Sequence, residues 1–151
     1  MVSRIHPLLA LTVVLLATPQ SAQAETLVDG PVTADIVRVV DGDTLLVMAR
    51  PWPQQSIEVF VRLRGIDTPE LKSRCASGRK AAEEAKHLLE QLAASSPKVK
   101  LSKIAADKYF GRIVADVSLS DGRNPAEEML MAGYASGYSG RGAKNDICSS
   151  G

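Results

Sequence analysis

Three stretches of this chain carry residue types that do phosphate chemistry. VVDGDTLLV, Val39–Val47, sets Asp41 and Asp43 on either side of Gly42. VRLRGIDTPE, Val61–Glu70, carries Arg62, Arg64, Asp67 and Glu70, and DKYFGRIVADV, Asp107–Val117, carries Lys108, Tyr109 and Arg112. Carboxylate oxygens such as those of Asp43, Asp67 and Glu70 are hard donors that suit a cation like Ca2+. A guanidinium binds phosphate oxygens bidentately and keeps its charge. Hydrolysis of a phosphodiester builds negative charge on the oxygens around phosphorus, so cations aimed at those oxygens stabilise the transition state more than the ground state. A carboxylate one hydrogen bond from water can then take its proton.

The elements that must position these residues are readable from periodicity. Val32 to Val40 and Thr44 to Met48 are β-rich and flank Asp41-Gly42-Asp43, the form of a hairpin, in which Asp41 shapes the turn. From Ile57 the chain alternates, with Ile57, Val59, Val61 and Leu63 on one face and Glu58, Phe60, Arg62 and Arg64 on the other. That strand ends at Gly65, and Ile66-Asp67-Thr68-Pro69-Glu70 forms an irregular turn, because proline restricts its predecessor. Ser77 to Ser95 reads as one long helix, with Ala81, Ala85, Leu88 and Leu92 at helical spacing. Val99 to Ile104 and Ile113 to Leu119 are two more strands. Asn124 caps a short helix that has Pro125 in its first turn. The fold class is therefore α+β, mainly β. The expected architecture is a five-stranded OB-fold barrel with the long helix between strands three and four and a short C-terminal helix.

Several other chemistries are excluded. An EF-hand loop counted from Asp41 needs Gly at its sixth position and Glu at its twelfth, where this chain has Leu46 and Trp52. His87 is the one histidine beyond residue 24 and sits among helix charges, so a histidine-dependent triad or zinc site is ruled out. Trp52, between two prolines, reads as a loop anchor and Tyr134 as a core residue. Tyr138, in a Gly-rich segment, is a candidate for stacking on a base.

Residues 1–24 have the form of a secretory signal, with Arg4 near the amino terminus, an apolar run from Pro7 to Ala17 and Ala22-Gln23-Ala24 as the cleavage pattern. Residues 25–151 are expected to form a single domain, ending in a Gly/Ser-rich tail over 139–151, and the protein to be exported to the periplasm or medium. No later segment is apolar enough to span a membrane. In an oxidising compartment the two cysteines, Cys75 and Cys148, are expected to form a disulfide, the alternative being two unpaired thiols. Without Arg4 the chain is formally neutral, so it is not a generic polyanion binder. A local basic patch nevertheless runs from Arg62 to Lys80 (Arg62, Arg64, Lys72, Arg74, Arg79, Lys80).

The three motifs, in this order and with a helix between the second and third, resemble the thermonuclease family typified by staphylococcal nuclease, over about Val32 to Gly137. The resemblance implies that Asp43 and Asp67, with the Thr68 carbonyl, hold Ca2+. By the same resemblance Glu70 is the general base, Arg62 and Arg112 grip the phosphate, and Lys108 and Tyr109 contact a neighbouring part of the substrate. It implies a Ca2+-dependent nuclease acting on DNA and RNA; little sequence preference is expected because nothing in the sequence reads base edges, and the protein is expected to be a monomer. The chain departs from the family pattern in the extra residue Phe110 within the DKYFGR turn and in lacking a C-terminal helix beyond Tyr138. A Cys75–Cys148 bond would tie that tail down near the Glu70 loop. The alternatives are a non-catalytic OB-fold binder of nucleic acid or another polyanion, and an envelope or polysaccharide-associated protein that keeps the fold.

Overall fold

The computed structural model describes residues 26–142 and 147–149; the expected signal segment and much of the tail lie outside them. Alternating and β-branched runs form β1 (Val32–Asp41), β2 (Thr44–Arg50) and β3 (Ile57–Leu63), followed by the two-residue β4 (Ile66–Asp67). Then come α1 (Ala76–Ser95), β5 (Lys98–Ala106), β6 (Arg112–Leu119), α2 (Pro125–Met131), the short β7 (Ser136–Gly137) and a 3₁₀ turn at Ile147–Ser149.

Five strands close into a barrel in the order β1-β2-β3-β6-β5. Closure removes the unpaired edges that an open sheet of this size would expose. Consecutive strands pair antiparallel, whereas β3 and β6 run parallel, with Phe60 opposite Arg112 and Arg62 opposite Val114. A parallel pair needs a long crossover, and here α1 and β5 lie within it. The β3–β6 pairing therefore sets Arg62 and Arg112, fifty positions apart in sequence, on neighbouring strands.

The interior is filled by Val47, Val61, Leu101 and Ala115 from the barrel wall, all fully buried, with Leu45, Leu63, Val99 and Val117 around them. Helix α1 covers the barrel with Gly78, Ala82, Ala85, Leu89 and Leu92. This corrects the stripe expected from Ala81 and Leu88, which are only partly buried. Alanines at both 81 and 82 and leucines at both 88 and 89 fit two adjacent helical stripes, and only docking on the barrel chooses one. Two aromatic expectations also fail: Tyr134 is 37 % exposed and Trp52 61 % exposed, so neither packs as an anchor. His87 lies on the exposed face of α1, hydrogen-bonded to Gln91.

Specific contacts fix the start of α2 and the described segments that follow it. The Asn124 side chain accepts a hydrogen bond from the Ala126 N–H at 2.9 Å, Pro125 occupies the first turn, and Met129 is buried in the core. After α2, β7 pairs with β4, Ile66 with Gly137 and Asp67 with Ser136. Cys75, the N-cap of α1, is bonded to Cys148 across a separation of 73 residues, with the two Cα atoms 5.7 Å apart. Closing a loop of that size is worth ~4 kcal/mol in the chain-entropy account.

The turn between β1 and β2 is held from two directions. Asp41 Oδ1 accepts a hydrogen bond from the Asp43 N–H at 3.1 Å, which closes the turn locally. Gly42 is required by space: a Cβ there would lie 2.8 Å from both the Ala85 Cβ of α1 and the Thr68 Oγ1. Its missing side chain lets the turn, the helix and the Thr68 loop meet. We expect Gly42→Ala to destabilise the protein by about 1–3 kcal/mol, as overpacking does, measured by urea unfolding; an unchanged midpoint would contradict this close approach.

Candidate active site

Charged side chains rarely enter a protein interior unless they are paired. Among the described residues six polar or charged residues are buried, and five of them, Asp43, Thr44, Arg62, Asp67 and Thr68, gather in one place. The backbone brings them together. Asp43 leaves the β1–β2 turn with its carbonyl accepting a hydrogen bond from the Leu63 N–H at 2.8 Å, which fastens it beside the end of β3. Asp67 lies in β4 and is held by β7.

Arg62 joins the two carboxylates. Its Nη1 donates to Asp43 Oδ1 at 2.7 Å, and its Nη2 donates to Asp67 Oδ1 at 2.9 Å and to the Ile66 carbonyl at 3.1 Å. Burial works against the Arg62 charge, but the carboxylates of Asp43 and Asp67 outweigh it and hold the guanidinium pKa above its ordinary value. The hydroxyl of Thr44 donates to Asp43 Oδ1 at 3.0 Å and the Thr68 N–H to Asp43 Oδ2 at 3.3 Å. Asp43 and Asp67 thus bring carboxylate oxygens, hard donors of the type that suits a Ca2+-like ion, to the two sides of Arg62, with Thr68 beside Asp43. Among the described residues no three His, Cys, Asp or Glu side chains gather as a metal cage. An ion held here would therefore complete its coordination with water and ligand oxygens.

Through Arg62 this group borders a cleft of about 770 Å³ whose lining also includes Glu70, Lys108, Tyr109, Arg112 and Tyr138. Glu70 is exposed on its wall. Tyr138 follows β7, and its N–H donates to the Gly65 carbonyl at 2.9 Å, which brings its ring to 5.9 Å from the Arg62 guanidinium carbon. Of the residues expected from the sequence, Arg62, Glu70, Lys108, Tyr109, Arg112 and Tyr138 line the cleft, whereas Asp43 and Asp67 lie behind Arg62, and Thr68 beside Asp43, outside its lining. Cys75 and Cys148 stand apart, on the loop that follows Glu70 and on the tail.

Sequence reasoning assigned no role to Asp107 or Arg141. Asp107 Oδ2 accepts a hydrogen bond from Arg112 Nε at 2.7 Å and so fixes the guanidinium at the start of β6. Burial pushes the Asp107 carboxyl pKa up, but the hydrogen bond and charge of Arg112, with the Lys108 and Tyr109 N–H groups, hold it below its ordinary value. An acidic residue that opens a turn whose last residue is arginine was the available signal. Arg141 lines the cleft from the tail, where the sequence has no periodicity to show it. Arg64 also lines the cleft but is tied to its wall: its Nη2 donates to the carbonyls of Lys103 and Val114, and its Nε lies 3.4 Å from Asp116.

A carboxylate with a depressed folded pKa stabilises the protein above its unfolded pKa and loses that contribution as pH falls through the folded value. Asp107→Asn should therefore lower the melting temperature near neutral pH. The gap from the native chain should close on acidification below the ordinary carboxylate range, near 3.9, as followed by thermal melts across pH. A gap that persists at the acid end would show that the pair does not titrate as described.

Residues 60–148 match the family model described as staphylococcal nuclease homologue. No curated protein matches the chain.

Proposed function

The chain belongs to the staphylococcal nuclease homologue family, and from that premise we propose that it is an exported, Ca2+-dependent nuclease that hydrolyses phosphodiester bonds in DNA and RNA. The observation that carries the reading is the buried Asp43–Arg62–Asp67 group at the base of a cleft lined by Glu70 and Arg112. A polyanion binder has use for the arginines but none for a pair of carboxylates, whose two negative charges exceed the one positive charge of Arg62 between them and repel phosphate unless a further cation is bound.

Asp43, Asp67 and the Thr68 carbonyl are the donors that would hold Ca2+. When bound, the ion supplies Lewis acidity and orients the phosphodiester. Glu70, at the cleft wall, takes the proton of the attacking water, a role worth ~10²–10⁴ in rate. Arg112 is braced through Nε by Asp107, so its Nη groups address the phosphate oxygens. Arg62 carries five N–H donors. Among the described residues its hydrogen bonds use Nη1 once and Nη2 twice, which leaves Nε–H and one Nη1–H for phosphate. Lys108, Tyr109 and Tyr138 line the same cleft, within which they would contact neighbouring parts of the strand. No side chain is assigned to reading base edges, which supports low sequence preference. The Cys75–Cys148 bond supports an oxidising destination, the periplasm or the medium.

Glu70→Gln and Arg112→Ala should each lower the rate of plasmid and RNA degradation by at least ~10²-fold while circular dichroism stays native. Near-normal turnover in either folded variant would overturn the assignment of that residue. Degradation by the native protein should require Ca2+, fall when Mg2+ replaces it and stop in chelator. Undiminished activity in chelator would refute the metal reading, and no activity under any condition would favour a non-catalytic binder.

A further inference from the structure

The β5–β6 turn displays an aromatic ring that neither the core nor the proposed chemistry uses. Phe110 has its whole side chain in water, whereas phenylalanine is among the residues most often buried. The turn beneath it is firmly tied. Asp107 N–H donates to the Arg112 carbonyl and Arg112 N–H to the Tyr109 carbonyl, each at 3.2 Å. The Phe60 N–H donates to the Gly111 carbonyl at 3.4 Å, and the Arg112–Asp107 ion pair spans the base of the turn. Gly111, at φ +81°, supplies the left-handed residue that closes it. The ring is therefore held outward by an ordered backbone.

Its neighbours say what it meets. Lys108 and Arg112 lie 5.1 Å and 4.7 Å from the Tyr109 ring centre, so that aromatic is already engaged by cations. Phe110 lies between Tyr109 and Arg112 in sequence, and both of these line the cleft. Phe60, paired with Arg112 across β3 and β6, is a second exposed aromatic on the strand that adjoins this turn. Cations for phosphates interleaved with an open aromatic face are the features of a single-stranded nucleic-acid platform. A second copy of the chain docked symmetrically through Phe110 would instead set Lys108 and Arg112 of both copies against each other, which like-charge repulsion opposes.

We propose that Phe110 is a nucleobase-stacking subsite at the rim of the cleft, which holds an unpaired base next to the phosphate contacted by Lys108, Tyr109 and Arg112. The inference rests on the nuclease reading for the path of the strand. Stacking on a phenyl face accepts any base, so it favours single strands over duplex, whose bases are already stacked, without adding sequence preference.

The test compares a short oligothymidylate with an abasic strand of the same length and charge. Binding is followed by fluorescence anisotropy in chelator, where hydrolysis is suppressed. Phe110→Ala should weaken oligothymidylate binding about tenfold and leave the abasic strand unaffected, while Phe110→Trp restores the difference. Equal affinity of native and Phe110→Ala proteins for oligothymidylate would overturn the proposal, as would an equal loss for both strands. Self-association in sedimentation that Phe110→Ala abolishes without changing oligothymidylate affinity would also overturn it and assign the ring to a dimer. Plasmid degradation with Ca2+ is scored separately: a protein that discriminates the two strands but does not cut refutes only the nuclease reading, and one that cuts without discriminating refutes only the stacking subsite.

Discussion

The Asp43 and Asp67 carboxylates meet across a buried corner of the barrel with the Arg62 guanidinium between them. Removing three ionised groups from water is expensive, and the arrangement persists because each carboxylate is hydrogen-bonded to the cation and the surrounding polar groups fill further lone pairs. The rest of the site depends on this contact. It fixes the β1–β2 turn to the end of β3, and through Asp67 it fixes the loop that carries Thr68 and Glu70. A buried ion group of this kind is a poor source of net stability compared with apolar packing, so its presence in so small a barrel is best understood through what it does in the cleft.

The barrel supplies the remaining precision. Parallel pairing of β3 with β6 sets Arg112 beside the strand that bears Arg62, and the Asp107 brace removes the freedom of its long side chain. Rigid strands locate groups better than loops do; Arg62 and Arg112 lie in strands, while Glu70 lies on a loop. That loop is steadied from behind by the Cys75–Cys148 bond, which ties the tail to the start of α1. The tail in turn contributes Tyr138 and Arg141 to the cleft wall. A covalent link and a two-residue strand pairing thus hold the described part of the tail to this side of the molecule.

Much of this was legible in the chain. The five barrel strands, both helices and the Asn124 cap follow from period-two alternation, helical spacing and turn residues, because each is decided by interactions within a few residues. The candidate site was legible as residue types at strand ends, and the order of the three motifs pointed to the family. The stripe of α1 was not legible, since neighbouring alanines and leucines offer two equivalent faces and contact with the barrel selects one. Trp52 and Tyr134 misled for a related reason: an aromatic ring carries no local sign of whether other elements will cover it.

VVDGDTLLV shows where the division falls. By itself the sequence determined that Asp41-Gly42-Asp43 turns between two strands, and that carboxylates and arginines suited to phosphate chemistry recur in order, because turn chemistry and side-chain type are local properties. Only the tertiary structure decided that Gly42 is needed for its missing Cβ against Ala85 and Thr68, that Arg62 bridges Asp43 and Asp67, that Asp107 aims Arg112, and that Phe110 stands in water. Those outcomes depend on distances between segments far apart in the chain, and closure of the barrel sets those distances.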